Sequence, residues 1–133
     1  MNDINSLYKL WCEKAVNDKD LIPELKSVEG NQDEILDRFY KNLEFGTAGL
    51  RGVIGAGTNR MNVYTVNQAT QGLSDYLNSE FKEPSVAIAY DSRIKSDVFA
   101  RSAASVLAAN GIVNLYRLRC CHMRFASFIA ALA

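Results

Sequence analysis

The chain has 133 residues, 48% of them hydrophobic and 23% charged, the balance of one globular domain or part of one. Fifteen basic and fifteen acidic residues cancel, which argues against the basic face that nucleic-acid binding requires. No apolar run reaches the length of a membrane-spanning helix, and Met1-Asn2-Asp3-Ile4-Asn5 does not open a signal peptide, so a cytoplasmic location is expected.

Residues 3–18 read as a helix, with Asp3 as its cap and Ile4, Leu7, Trp11 and Ala15 at helical spacing. Pro23 opens a second short segment over 24–28, closed by Gly30. A third helix starts at Asn31 and puts Ile35, Leu36, Phe39, Tyr40 and Leu43 on one inward face. Its acids Asp33, Glu34 and Asp37 and its bases Arg38 and Lys41 read as a solvated face with i,i+4 pairs.

The next stretch, Leu43-Glu44-Phe45-Gly46-Thr47-Ala48-Gly49-Leu50-Arg51-Gly52, is the densest chemical signal in the chain. Glycine lets backbone approach a ligand closely, and amide N–H groups, a hydroxyl and a guanidinium together suit a phosphate. A strand is expected over about 44–54, then a glycine-rich bend through Gly55-Ala56-Gly57-Thr58-Asn59-Arg60. A helix follows over 65–81, capped by Thr65, with Val66, Ala69, Leu73, Tyr76, Leu77 and Phe81 inside.

Val86-Ala87-Ile88-Ala89-Tyr90 reads as an interior parallel strand buried on both faces, with Asp91-Ser92-Arg93 at its carboxyl end. A helix capped by Ser96 runs to about 110 and ends at Gly111 in the C′ position, and Ile112-Val113-Asn114-Leu115-Tyr116 is the next strand. Strand, helix and strand make a βαβ unit. In open α/β sheets, ligands collect beyond the carboxyl ends of the strands, which points at Asp91 to Arg93. Residues 117–133 change character, with three arginines, one histidine and no acid, and 124–133 is apolar enough for a helix.

Familiar nucleotide motifs fail on this pattern. A P-loop needs G-x-x-x-x-G-K-[ST], and Gly46 to Gly52 has neither the spacing nor the lysine. Gly55-Ala56-Gly57 begins like a dinucleotide fingerprint, but Arg60 stands where the third glycine belongs. His122 has no partner of assignable geometry, and Cys12, Cys120 and Cys121 include no C-x-x-C pair, so they fit a reduced compartment rather than a zinc site. Thr47, Gly49, Arg51, Arg60 and Arg93 remain. Singly, each arginine reads as a surface ion pair; as a glycine-framed set in loops they read as an anion site.

Phe45-Gly46-Thr47-Ala48-Gly49-Leu50-Arg51-Gly52 resembles the opening signature of the α-D-phosphohexomutases, the phosphoglucomutase and phosphomannomutase family. Gly57-Thr58-Asn59-Arg60-Met61-Asn62, Thr70-Gln71-Gly72-Leu73, Asp91-Ser92-Arg93, Phe99-Ala100 and Gly111-Ile112 resemble its phosphoglucomutase branch in order and spacing. The resemblance runs over about residues 1–116.

It implies an α/β fold, a part of the family's first domain with a small mixed or parallel sheet, a βαβ unit and flanking helices. The expected division is a helical segment at 1–43, the incomplete domain at 44–116 and a divergent tail at 117–133. The activity implied is an isomerase reaction, an intramolecular phosphoryl transfer on a hexose phosphate or bisphosphate, run through a phosphoserine in a T-A-S-H-N-P loop and assisted by Mg2+. Arg51 would face a phosphate, with Thr47 and Gly49 in the same loop, Arg60 in the same cleft and Arg93 bracing the strand ends.

T-A-S-H-N-P occurs nowhere in the chain. The chain alone is therefore expected to be inactive and to bind no metal itself, with a truncation or shifted frame near residue 117. Exposed apolar surface, self-association and a need for C-terminal domains are expected with it. The alternative is a non-catalytic module that binds a sugar phosphate or complements a separate chain.

Overall fold

A computed structural model describes residues 2–47, 49–117 and 128–132, and the chain divides into two compact units, Met1–Thr65 and Val66–Ala133. The first unit begins with α1 (Asn2–Lys14). Ile4, Leu7, Tyr8, Trp11, Cys12 and Ala15 recur every three or four residues and turn one stripe toward a common core. The helix ends at Lys14, short of the expected residue 18. Asn17, Asp18 and Asp20 follow, and the Asp18 carboxylate accepts from the Asp20 amide at 3.1 Å, a local bond that competes with helical pairing.

Helix α2 (Leu21–Ser27) starts earlier than Pro23, which sits in the first turn, where its missing N–H costs nothing. Helix α3 (Gln32–Phe39) is capped by Asn31, whose Oδ1 accepts from the Glu34 amide at 3.3 Å. Only Ile35 and Phe39 of its expected stripe are buried; Leu36 and Tyr40 are 47% and 53% exposed. An eight-residue helix presents one narrow i,i+4 stripe, and that stripe meets Trp11 and Tyr8 edge-on at 5.7 and 6.1 Å from the Phe39 ring.

The stretch expected as one strand over 44–54 forms a separate two-stranded antiparallel ladder, β1 (Phe45–Gly46) with β2 (Gly49–Leu50), and does not join the main sheet. Two residues separate the strands, so the chain reverses within its own glycine-rich segment. Helix α4 (Val63–Glu80) begins in the first unit and runs through the second. Its cap is Asn62, not Thr65. The Asn62 Oδ1 accepts from the amides of Tyr64 and Thr65, each at 3.1 Å, while the Thr65 hydroxyl accepts from the Asn62 amide at 3.0 Å. This reciprocal pair is a capping box with threonine in the third helical position.

In the second unit, β3 (Ser85–Ala89) pairs parallel with β4 (Val113–Arg117), and α5 (Ser96–Ala109) connects them, as the βαβ reading expects. Val86 and Ile88 alternate inward onto Ala100, Leu107, Ile112 and Leu77, whereas Ala87 and Ala89 are only half-buried. The strand is thus buried on one face rather than on two. Tyr76 of α4 and Phe81 just past its end are likewise exposed, and the buried residues of the helix are Val63, Thr65, Thr70, Ser74 and Leu77.

The N-cap of α5 is Lys95, at φ +62, and Ser96 is the helix's first residue; Gly111, at φ +75, takes the C′ position as expected. Residues 128–132 form β5 (Phe128–Leu132), antiparallel to β3, where a helix was expected. A five-residue apolar segment is too short for a stable helix, and the free edge of β3 supplies backbone partners along its length. Cys120, Cys121, His122 and residues 124–127 lie outside the described residues.

Candidate functional site

The hairpin of residues 45–50 and the loop that follows belong to the first unit. Thr47 is exposed at the hairpin turn. Gly49 follows at φ +97, a backbone conformation that an L side chain rarely adopts, so the turn itself requires glycine here. Arg51 lies just past β2 and is exposed; among the described residues it has no ion-pair partner. The Thr47 hydroxyl, the Gly49 backbone and the Arg51 guanidinium, unpaired among the described residues, therefore lie within five residues of one another.

The other two predicted arginines are differently placed. Arg60 is 9% exposed; its Nη2 forms an ion pair with the Asp37 carboxylate, and its Nη1 donates to the carbonyl of Asn59 at 3.1 Å. Its charge is engaged in fastening the loop to α3. Arg93 belongs to the second unit, at the carboxyl end of β3, where its side chain is 62% exposed and its Nε lies 3.2 Å from Asp91 Oδ2. Asp91 is buried and also accepts from the Arg93 amide at 3.1 Å, which tightens the turn after the strand.

Glycine spacing suggested backbone bared toward a ligand, but several glycines are pressed against the protein itself. A Cβ on Gly52 would lie 2.8 Å from Leu43 Cδ1, and one on Gly57 would lie 2.6 Å from the Arg38 carbonyl oxygen. The Gly55-Ala56-Gly57 segment that resembled a dinucleotide fingerprint is a close-packing device.

Four residues hold this loop, a role the sequence did not reveal for any of them. Asn62 is 1% exposed, and its Nδ2 donates to the carbonyls of Gly55 and Gly57, both at 2.9 Å. Glu24, Arg38 and Asp37 grip the loop from α2 and α3. The preference for asparagine just before a helix could have found Asn62. No local signal joins Glu24 to Arg38, fourteen residues on, and Arg38, expected on a solvated face, has a side chain only 13% exposed.

An open apolar hollow of about 190 Å³ in the same unit is lined by Leu10, Trp11, Lys14, Ala15 and Tyr64, and takes in none of the predicted residues. Among the described residues no three His, Cys, Asp or Glu side chains converge. No helix among them is long and apolar enough to cross a membrane.

Residues 42–131 match the family model described as phosphoglucomutase/phosphomannomutase, alpha/beta/alpha domain I. The chain belongs to this family. The matched residues include the whole hairpin and loop and continue past residue 117 into the segment that looked divergent.

A phosphoglucomutase of Staphylococcus aureus strain USA300 is 40% identical over 106 residues, 78% of this chain and 18% of that protein. One from Staphylococcus saprophyticus is 37% identical over 103 residues, 77% of this chain and again 18% of the relative. The chain thus spans about a fifth of the length of the curated relatives it matches. No solved structure matches it.

Proposed function

We propose that this chain supplies the phosphate-facing wall of a phosphohexomutase first domain, serving an intramolecular phosphoryl transfer on a hexose phosphate in the cytoplasm. The observation that carries this reading is the exposed Arg51, without an ion-pair partner among the described residues, on a hairpin whose turn is set by Gly49. Thr47 adds a hydroxyl and Arg51 a fixed positive charge, which together orient a phosphate and neutralise charge on its oxygens. In phosphoryl transfer, positioning and neutralisation are most of what a protein contributes. Arg60 braces the loop behind the hairpin; in the second unit, Arg93 stiffens the turn after β3.

The 133 residues contain no T-A-S-H-N-P loop. The chain alone is therefore expected to bind phosphate without turning over glucose 1-phosphate, and measurable conversion to glucose 6-phosphate by the pure chain would overturn this. Magnesium would assist the full reaction, and no step here depends on it.

Thermal melts with inorganic phosphate and with glucose 1-phosphate test the binding. At ten times Kd the ligand adds about 1.4 kcal/mol, a rise of about 5 °C for a chain of this size. The Arg51→Ala variant should show none. Equal shifts in both proteins would refute the assignment of Arg51.

A further inference from the structure

Helices α2 and α3 grip Ala56, in the loop behind the hairpin, through one charged pair. Glu24 Oε2 accepts from the Ala56 amide at 3.0 Å, and Glu24 Oε1 is ion-paired with Arg38 Nη1. The same Nη1 donates to the Ala56 carbonyl at 3.2 Å. Both backbone groups of one residue are thus read by a matched acid and base, and Ala56 itself is fully buried in the core of the unit.

The loop backbone passes close to both helices. A Cβ on Gly55 would come within 2.5 Å of Glu24 Oε1, and one on Gly57 within 2.6 Å of the Arg38 carbonyl oxygen. The Asn59 amide donates to that same carbonyl at 2.9 Å.

From Ala56 a short chain of contacts reaches Arg51. The Gly55 amide donates to the Met61 carbonyl at 3.1 Å, and the Met61 amide to the Val53 carbonyl at 2.8 Å. Val53 is two residues from Arg51. On the other side, the Leu43 amide donates to the Thr58 carbonyl at 2.8 Å, and the Leu43 side chain packs against Gly52. The base of the hairpin is therefore pinned on both strands to the loop that Glu24 and Arg38 grip.

We propose that the Glu24–Arg38 pair is a positioning device for the phosphate hairpin: it fixes Ala56, and through residues 53–61 sets where Arg51 stands, without touching the ligand. This rests on the phosphate reading of Arg51 given above. A guanidinium displaced by an ångström loses much of its grip on an anion, so the pair acts on affinity through geometry. Nothing in the pair is consumed or transferred.

Titration of the full 133-residue chain with inorganic phosphate, followed by calorimetry and by amide hydrogen exchange, tests the proposal. Glu24→Gln keeps an acceptor for the Ala56 amide but removes the closer of the two carboxylate charges on Arg38, leaving Glu34 Oε2 at 3.4 Å from its Nε; Glu24→Asp keeps the charge one methylene back. Both should stay folded by circular dichroism. Both should weaken phosphate by about tenfold and speed exchange at residues 51–57, with the α5 amides as protected as in the wild type.

If either variant unfolds, the one that stays folded decides by the same two readouts; if both unfold, a purely structural role stands and the proposal falls. Wild-type affinity and wild-type exchange at 51–57 in a folded variant would also overturn it, with Arg51→Ala still abolishing binding. If the wild-type chain binds no phosphate, the assignment of Arg51 fails first and this inference fails with it.

Discussion

Asn62→Asp separates two roles that the structure assigns to one side chain. The Oδ1 caps α4 by accepting from the amides of Tyr64 and Thr65, and aspartate would keep that bond, since it is as good an N-cap as asparagine. The Nδ2 donates to the Gly55 and Gly57 carbonyls at 2.9 Å, with the Arg60 carbonyl third at 3.3 Å. An amide nitrogen has two hydrogens, so the two short bonds are the ones that count.

Aspartate replaces those donors with an acceptor-only oxygen facing two carbonyl oxygens in a site that is 1% exposed. Leaving two buried acceptors without donors costs about 1–3 kcal/mol each. Asn62→Asp should therefore destabilise the chain by about 3 kcal/mol or more. Asn62→Ala adds loss of the cap, about 1 kcal/mol, but introduces no repulsion, so the two variants should be comparably damaged.

Urea denaturation followed by far-ultraviolet circular dichroism measures both. Stability of Asn62→Asp within 0.5 kcal/mol of the wild type, with Asn62→Ala lower by about 1 kcal/mol, would mean that Asn62 is only a cap. The account of the caged loop would then be wrong.

Other consequences are direct. Gly57→Ala places a methyl group 2.6 Å from the Arg38 carbonyl at φ +129, and should lower the melting temperature by several degrees, corresponding to about 2 kcal/mol or more; an unchanged melt would show that the contact relaxes freely. Burial, with the neighbouring Cys12 thiol, pushes the Tyr8 hydroxyl up to about 12, and it donates to the Leu25 carbonyl at 2.9 Å. Since the folded state holds the proton more tightly than the unfolded chain, stability is whole below about pH 10 and declines from there toward 12. Tyr8→Phe should cost about 1 kcal/mol at neutral pH and flatten that decline in alkaline denaturation curves.

Elements whose signal is carried within a few residues were legible in the chain. Helix α5 announces itself by periodicity, strand β3 by a short apolar run of strand formers though not by its one-faced burial, and Gly111 by the C′ preference. Helix α3 was legible as a helix but not in its buried face, because a short helix takes its inward stripe from whatever packs on it. Here that is Trp11 and Tyr8, more than twenty residues away.

The strand over 128–132 shows the same limit. Its five apolar residues have no period of their own, and the edge of β3 decided the outcome.

For the candidate site, residue types along the chain determined that a hydroxyl, glycines and an arginine share a short segment, because phosphate chemistry needs those groups close together. Tertiary structure decided which of the cations stays uncommitted. Arg60 and Arg51 are indistinguishable as letters, but Asp37 comes back across twenty-three residues to take up Arg60, while none of the described acids reaches Arg51. It also decided that Gly57 serves packing while Gly49 serves a turn. The physical reason is that a charge or a missing Cβ acquires a role only from its spatial neighbours, and those neighbours are supplied by contacts far apart in the chain.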